Sequence, residues 1–534
     1  MNSIESQWLD ALREDGSQHK IAPWQIAEQE NPVIELVASR PDFLGGNYQF
    51  LIGLLQTVFS PEDHDQWLEY WETPPTAKEL KTALQPFAPY FELINPDGPA
   101  FLQDFDLAEG EKKPIAALLI DAPGGKTIKD NLDHFVKRDS VTGCCEACAA
   151  TALFTLQSNA PSGGVGHRVG LRGGGPMTTL LLPQTTAPLW RKIWLNILPQ
   201  DHAEGYETVE PGCTSVLPWL ASTRLSDKKG RATYPEDASP LQAYWGMPRR
   251  IRLEVANRQP GQCDLCGSQV DELITHYRTK NYGINYEGAW VHPLSPYKRD
   301  PKNEKPPLSL KGRQGGLGYQ HWLGLVWKDN DNNEAAQITT EFNNSRVSEA
   351  SDDSLDTVRL WCFGYDMDNM KARCWYEQRM PLLNIHSDYR EDFIHFVSQL
   401  IDAAKDTVKL LRSQVKSAWF ERPKDASGDI SSIDQSFWQA TETSFYELLH
   451  GLVVHIGKSR LMPISIAEKW LITLRKTAET LFDHWVLEGE AEDMPMKRIM
   501  GARRLLIARL YNAKSMPKSL KGLDHITRSG KEAA

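Results

Sequence analysis

No apolar run in this 534-residue sequence approaches the roughly 20 residues that a membrane-spanning helix needs. Its start, Met1-Asn2-Ser3-Ile4-Glu5, has neither the basic residues nor the apolar stretch of a secretory leader, so the expected location is the cytoplasm, away from membranes. Positive charge is in short supply. With 59 Lys and Arg against 70 Asp and Glu, the net charge of -11 argues against wrapping long stretches of nucleic acid by bulk attraction. Signatures of nucleotide binding fail on spacing. Gly125-Lys126-Thr127 lacks the glycine that a P-loop places five residues earlier, where Ile120 stands. In Gly164-Val165-Gly166 the third glycine of a dinucleotide fingerprint falls one place late, with Val169 at its position. There is no nucleophile elbow, no His-Glu-x-x-His helix and no Asp-rich metal cluster. Catalysis therefore gains no positive support, and His292, in Trp290-Val291-His292-Pro293, reads as a structural histidine.

Among the features present are eight cysteines, which a reducing compartment keeps out of disulfides. Cys145 with Cys148, and Cys263 with Cys266, form two Cys-x-x-Cys pairs, the second followed by Gly267. Zinc prefers four tetrahedral thiolates or imidazoles, and each pair supplies two sulfurs from one tight turn. The expectation is a four-cysteine structural zinc site joining distant segments, with no open position for catalysis. The gap of more than a hundred residues between the pairs exceeds that of a small zinc finger. Cys144, Cys213, Cys362 and Cys374 read as ordinary reduced cysteines. Between the pairs lies a glycine-rich loop, Ser162-Gly163-Gly164-Val165-Gly166, followed by Gly170-Leu171-Arg172-Gly173-Gly174-Gly175, whose backbone another molecule can approach closely. Cations collect in two places. One is a loop bearing Lys298, Arg299, Lys302, Lys305, Lys311 and Arg313; the other is the tail from Lys497 onward, with ten Lys or Arg against two acids.

Short apolar runs mixed with Gly, Pro and Trp predict an irregular mixed α/β domain over residues 1–385, with helices near 47–59 and 145–156 and strands near 177–182 and 250–255. After Ser387 and Asp388 the pattern becomes helical, with Phe393, Phe396, Val397, Leu400, Ala404, Val408, Leu411 and Val415 on one stripe. Similar stripes follow from Ile433 (Phe437, Ala440, Ser444, Phe445, Leu448, Leu452), after Pro463 (Ala467, Trp470, Leu474, Ala478, Leu481, Trp485) and after Pro495 (Ile499, Ala502, Leu506, Leu510). The fold class expected is α+β: a large mixed domain with the four-cysteine site, then a four-helix bundle over 386–534.

Taken together, these motifs resemble the CasA family, the large subunit of the type I-E CRISPR Cascade complex. The resemblance rests on Cys145-x-x-Cys148-x-Ala150-x-Ala152-Leu153-Phe154, the glycine loop running into Gly170, the second cysteine pair with Trp290-x-His292-Pro293-x-Ser295-Pro296, Gly364 to Arg373, and the helical end. It implies a non-catalytic subunit that reads the short protospacer-adjacent motif (PAM) on double-stranded target DNA, starts strand separation and R-loop formation, and recruits a helicase-nuclease. Other Cascade subunits and the CRISPR guide RNA are its implied partners, with base pairing supplying the remaining specificity. Carried over residue by residue, the glycine loop is Ser162 to Gly166 and would sense base edges beside the paired thiolates. Phe135, Val136, Lys137 and Arg138 form a loop toward RNA or a neighbouring subunit. The family's lysine finger falls on Asn281 by count, so Lys280 is the candidate; the wedge matches Asp368, Asn369, Met370 and Lys371, without the glutamine of some members. Lys298 and Arg299, with the basic tail, would meet the DNA backbone. Two other readings stand beside this one: a zinc-containing nucleic-acid-processing enzyme (nuclease or ATPase), and an assembly scaffold without DNA contact.

Overall fold

The computed structural model describes every residue except 108, 123–138, 184–185, 257, 347–354, 369–370, 426–427, 489–494 and 533–534. The chain divides into two compact units. One comprises Met1–Gly312 with Ala335–Pro381, and the other Arg313–Glu334 with Leu382–Ala534. Together they make an α+β fold of small sheets and helices with a helical C-terminal region.

The longer helices of the first unit are α1 (Pro41–Val58), α2 (His64–Glu72), α3 (Ala77–Leu84), α4 (Glu146–Asn159) and α5 (Leu189–Trp194). Fifteen of the 18 residues of α1 are buried, so this helix runs through the core and shows no one-sided stripe. Gly46 lets it close onto α4, because a Cβ there would lie 2.6 Å from the Thr155 hydroxyl oxygen. The core is aromatic: Trp245 meets Phe50, Phe91, Phe101, Phe154 and Trp219 edge-on, with ring centroids 5.5 to 6.3 Å apart. Helix α4 begins one residue later than the sequence pattern suggests. Cys145 is its N-cap, its sulfur accepting from the Cys148 amide.

Strands β1 (Leu9–Arg13), β2 (Gln18–Ile21) and β3 (Val33–Leu36) form one sheet in the order β2-β1-β3. Strands β4 (Glu111–Pro114), β6 (Arg250–Leu253) and β9 (His276–Lys280) form another, with β9 in the centre, and β7 (Gln259–Gln262) pairs only with β8 (Gln269–Leu273). The short pair β10 (Tyr297–Lys298) and β11 (Leu308–Ser309) closes the basic loop. The long hairpin of β12 (Arg359–Asp368) and β13 (Lys371–Pro381) completes a sheet with β5 (Thr178–Leu182), which covers only the first half of β12.

The long helices of the second unit are α6 (Ser387–Trp419), α7 (Ser431–Ile456), α8 (Ile464–Leu487), α9 (Met496–Tyr511) and α10 (Lys518–Glu532). The first four were expected; the fifth was not, because Asn512 to Pro517 interrupts the pattern and leaves α10 with few apolar residues. The stripe expected on α6 is buried throughout. On α7 Ala440 is exposed while Trp438 and Thr441 are buried, and on α8 Phe482 lies in the core with Leu481 and Trp485 at its margin. Residues 313–334, ahead of the boundary expected at 385, belong to this unit. Tyr319 stacks on Phe445 at 4.3 Å, and its hydroxyl meets that of Thr441 at 2.9 Å.

Candidate metal centre and nucleic-acid interface

The two Cys-x-x-Cys pairs meet. The four sulfurs of Cys145, Cys148, Cys263 and Cys266 lie within 4.8 Å of one another, and Cys145 and Cys266 are 3.7 Å apart. A tetrahedron with metal–sulfur distances of about 2.3 Å has edges of about 3.8 Å, so the cluster is sized for a thiolate-bound metal ion. Two turns deliver the sulfurs. Cys145 and Cys148 sit at the start of α4, where helix geometry directs amides toward an anion. Cys263 and Cys266 sit in the β7–β8 turn, closed by the Gly267 amide on the Cys263 carbonyl at 2.9 Å, with Gly267 at φ +76. The turns are laced together: the Asp264 carboxylate accepts from the amides of Thr142 at 2.7 Å and Gly143 at 3.0 Å, and Cys144 exchanges backbone hydrogen bonds with Ile274. The cluster places thiolate charge on one sulfur, with the Cys145 thiol pushed up to about 12. Hydrogen bonds from Cys145 and Cys148 hold the Cys263 thiol far below its ordinary range, while Cys148, donating to Cys145 and Cys263, is pushed far above it.

The glycine loop lies at the opposite end of α4. Eleven helical residues beyond Cys148, about 17 Å at 1.5 Å each, separate it from the cysteines, so it is not beside the thiolates as expected. Strand β9 makes the same journey. It leaves the Cys144–Ile274 bridge and ends at Lys280, after which the Asn281 side-chain amide donates to the Val165 carbonyl at 2.8 Å and the Tyr282 amide donates to the Gly166 carbonyl at 2.8 Å. From below, the Arg249 guanidinium donates to the Pro161 carbonyl and touches the His167 ring. Burial draws this guanidinium down to about 10. Burial and then Arg249 hold the His167 imidazole below its usual range, which favours the neutral ring as acceptor.

Within the loop the glycines divide into two kinds. A Cβ on Gly163 would lie 2.6 Å from His167, and one on Gly166, at φ +78, would lie 2.8 Å from Asn281. Gly164 has open space around it and is exposed, as are Ser162 and Val165. The outer surface of the loop is thus bare backbone at Gly164, flanked by the exposed Ser162 and Val165 side chains, on a fixed seat. The second glycine run continues the seat, with the Gly170 amide on the Ala160 carbonyl at 2.9 Å. The basic hairpin is joined to it, the Met177 amide donating to the Leu310 carbonyl at 2.7 Å. A Cβ on Gly175 would lie 2.8 Å from Met367 of β12, so the β12–β13 hairpin shares this region. Beneath them Arg172 is buried, donating to Gln49 at 2.6 Å, Thr178 at 3.0 Å and Ser295 at 3.2 Å.

A model of the CRISPR-associated protein Cse1 family matches residues 2–481. The chain belongs to the Cse1 family. It is therefore a CasA-type large subunit of type I-E Cascade. Solved Cse1 structures agree in fold. Thermus thermophilus CasA (Cse1) superposes with a TM-score of 0.65 at 16% identity, covering 96% of this chain and 99% of that one. Thermobifida fusca Cse1 gives 0.69 at 15% identity, covering 99% and 98%. A chain of a CRISPR RNA-guided surveillance complex gives 0.67 at 15%, covering 96% and 99%.

In this Cse1 chain the remaining candidates are dispersed around the loop. Lys280, exposed, closes β9 opposite Arg250; Lys298 and Arg299 are exposed at the base of the β10–β11 hairpin; Lys371 is exposed at the start of β13, opposite Asp368. Asn369, Met370 and the segment Phe135 to Arg138 lie outside the described residues. His292 is 2% exposed and accepts from the Leu294 amide at 3.1 Å, a structural role. Asn281 and Arg249, which seat the loop, were not singled out as its supports from sequence. Each is a lone polar residue whose partner lies more than 80 positions away, with no periodicity to reveal it. Among the described residues no helix is long and apolar enough to cross a membrane.

Proposed function

We propose that this Cse1 chain is the PAM-reading subunit of its Cascade complex, using the outer surface of Ser162 to Gly166 against the edge of double-stranded DNA. The supporting observation is the seat of the loop: Asn281, Tyr282 and Arg249 fix its backbone while Ser162, Gly164 and Val165 face outward. A fixed backbone, bare at Gly164, suits the minor groove, where few donors and acceptors distinguish bases and several related motifs are tolerated. Lys280, Lys298 and Arg299 would neutralise flanking phosphates, and the β12–β13 hairpin, whose last described pair is Asp368 and Lys371, would part the first base pairs. Initiating the R-loop in this way makes the chain a binding protein, with guide RNA and the other Cascade subunits as partners and a recruited helicase-nuclease as the enzyme.

The four-cysteine cluster would hold zinc as a structural ion. All four donors are protein thiolates, which leaves the metal no open position for substrate. Its contribution is to lock the start of α4 to the β7–β8 turn.

Gly164→Val tests the reading, because its side chain enters open space and disturbs nothing inside the fold. Duplexes differing only in the PAM are titrated against assembled complex. The expected result is normal assembly with discrimination among PAM variants lost, by at least about tenfold. Undiminished discrimination in the variant, or equal binding of all PAM variants by the unaltered complex, overturns it.

A further inference from the structure

The structure sorts the ten cations of the C-terminal tail. Some are used inside the fold. Arg498 donates to the carbonyls of Ala418 at 3.0 Å and Trp419 at 3.2 Å, and Arg503 grips the Asp483 carboxylate with two bonds of 2.8 and 2.9 Å. Others face outward. Over the described side chains of α10 the exposed residues are Lys518, Lys521, Gly522, His525, Arg528 and Ser529, which recur at three- and four-residue intervals along one face, with exposed Lys514 just before the helix. The opposite side of α10 buries Leu520, Leu523, Asp524 and Thr527.

Asp524 is the only acid between 495 and 529, and it is turned inward, 7% exposed, where Arg475 meets it at 2.9 Å and Arg528 at 2.7 Å. Asp406 of α6, which also reaches this helix, accepts from Ser519. Among the described side chains the outer line therefore carries cations and no carboxylate, on a protein whose net charge is -11. It also lies beyond residue 481, where the match to the family model ends.

We propose that the outer line of α10, with Lys514, is a sequence-independent binding surface for a nucleic-acid phosphate backbone. Charge selects a polyanion, and the side-chain types favour phosphate over protein. A protein interface is built round apolar or aromatic anchors, and this line has none. From Lys518 to Arg528 the helix rises about 15 Å, which spans about four phosphates of one strand at 3.4 Å each. Lysines without a base-reading partner bind the backbone and tolerate any sequence. The strand can be guide RNA or DNA, since both present the same phosphodiester.

The test is a salt titration of the full-length chain with labelled strands of about 25 nucleotides: single-stranded DNA, single-stranded RNA, and duplex DNA lacking any PAM. The variant combines Lys514→Gln, Lys518→Gln and Lys521→Gln; a control of equal charge change combines Lys78→Gln, Lys409→Gln and Lys458→Gln. At least one arm should lose about fivefold or more in affinity, and its slope of log affinity against log salt should shrink by about two, from roughly 0.7 per phosphate. The control should change neither, and the responding arm identifies the strand. If the triple variant melts early, Lys518→Gln alone should show about a third of the slope change. No change in any arm, or an equal loss in the control, overturns the proposal. PAM discrimination measured alongside should be unaffected, so failure here is distinct from failure of the glycine-loop reading.

Discussion

The side-chain amide of Asn281 donates to the main-chain carbonyl of Val165 at 2.8 Å, so the residue just past strand β9 holds the exposed turn of a loop 116 positions away. Asn281 stands where the family resemblance places a lysine finger, and in this chain that position is occupied in positioning the loop. Asn281→Ala removes one hydrogen bond worth about 1 kcal/mol, while the Tyr282 amide keeps its own bond to Gly166. Expected is about fivefold weaker binding of PAM-bearing duplex by assembled complex, with the melting temperature of the isolated chain unchanged. Equal affinity would show that the loop holds its shape without this contact.

The cysteine cluster makes a separate prediction. Purified chain should contain one zinc per molecule by elemental analysis, and Cys266→Ser should lose it together with several degrees of thermal stability. Cys374→Ser, exposed and outside the cluster, should keep both. Because α4 and β9 both run from this cluster to the glycine loop, metal loss should also raise proteolytic nicking within 161–170. Nicking that stays constant as the metal leaves would uncouple the two ends.

Legibility in the sequence followed the range of the interactions. Helices α6 to α9 were readable because their cores repeat every three or four residues, so the pattern lies in neighbouring positions. The cysteine pairs were readable because metal chemistry restricts residue type and spacing, although only the fold shows that Cys145 meets Cys266. Helix α1 starts six residues before its expected limit, since a helix buried on all sides offers no stripe to mark where it begins. The separation of glycine loop and cysteines escaped notice for a different reason: they are near in sequence, but an intervening helix converts eleven residues beyond Cys148 into distance. The division of Gly163 and Gly166 from Gly164 is likewise invisible in sequence, as it depends on His167 and Asn281 lying behind the first two.

His292 gives the fold a pH dependence. Burial, and then Arg172, hold its imidazole well below the ordinary 6.5, so the native state keeps it neutral while the unfolded chain can protonate it. The unfolded state therefore binds more protons below about pH 6.5, and stability present above that pH is lost as pH falls, by up to about 1.4 kcal/mol per pH unit. His292→Asn removes the titration. Denaturant midpoints should fall less steeply between about pH 6.5 and 5 in the variant than in the parent, even if the variant is less stable at pH 7. Parallel curves would assign the acid sensitivity to other groups.

Lys298 and Arg299 stand on the hairpin tied to the second glycine run, and their proposed partners are phosphates, which bind with a salt dependence that base contacts lack. Lys298→Glu with Arg299→Glu should weaken binding of assembled complex to every duplex alike, with or without a correct PAM, and the ratio between PAM variants should stay constant. Two lost phosphate contacts on duplex DNA predict a salt slope smaller by about 1.8, from roughly 0.9 per contact. Fluorescence titration at four or five salt concentrations measures both quantities on the same samples. If affinity falls while the slope holds, the hairpin acts by supporting the glycine loop through Leu310 and Met177, and its charges are incidental. If the PAM ratio collapses as well, the two cations belong to the reading surface and the division between positioning and reading is drawn in the wrong place.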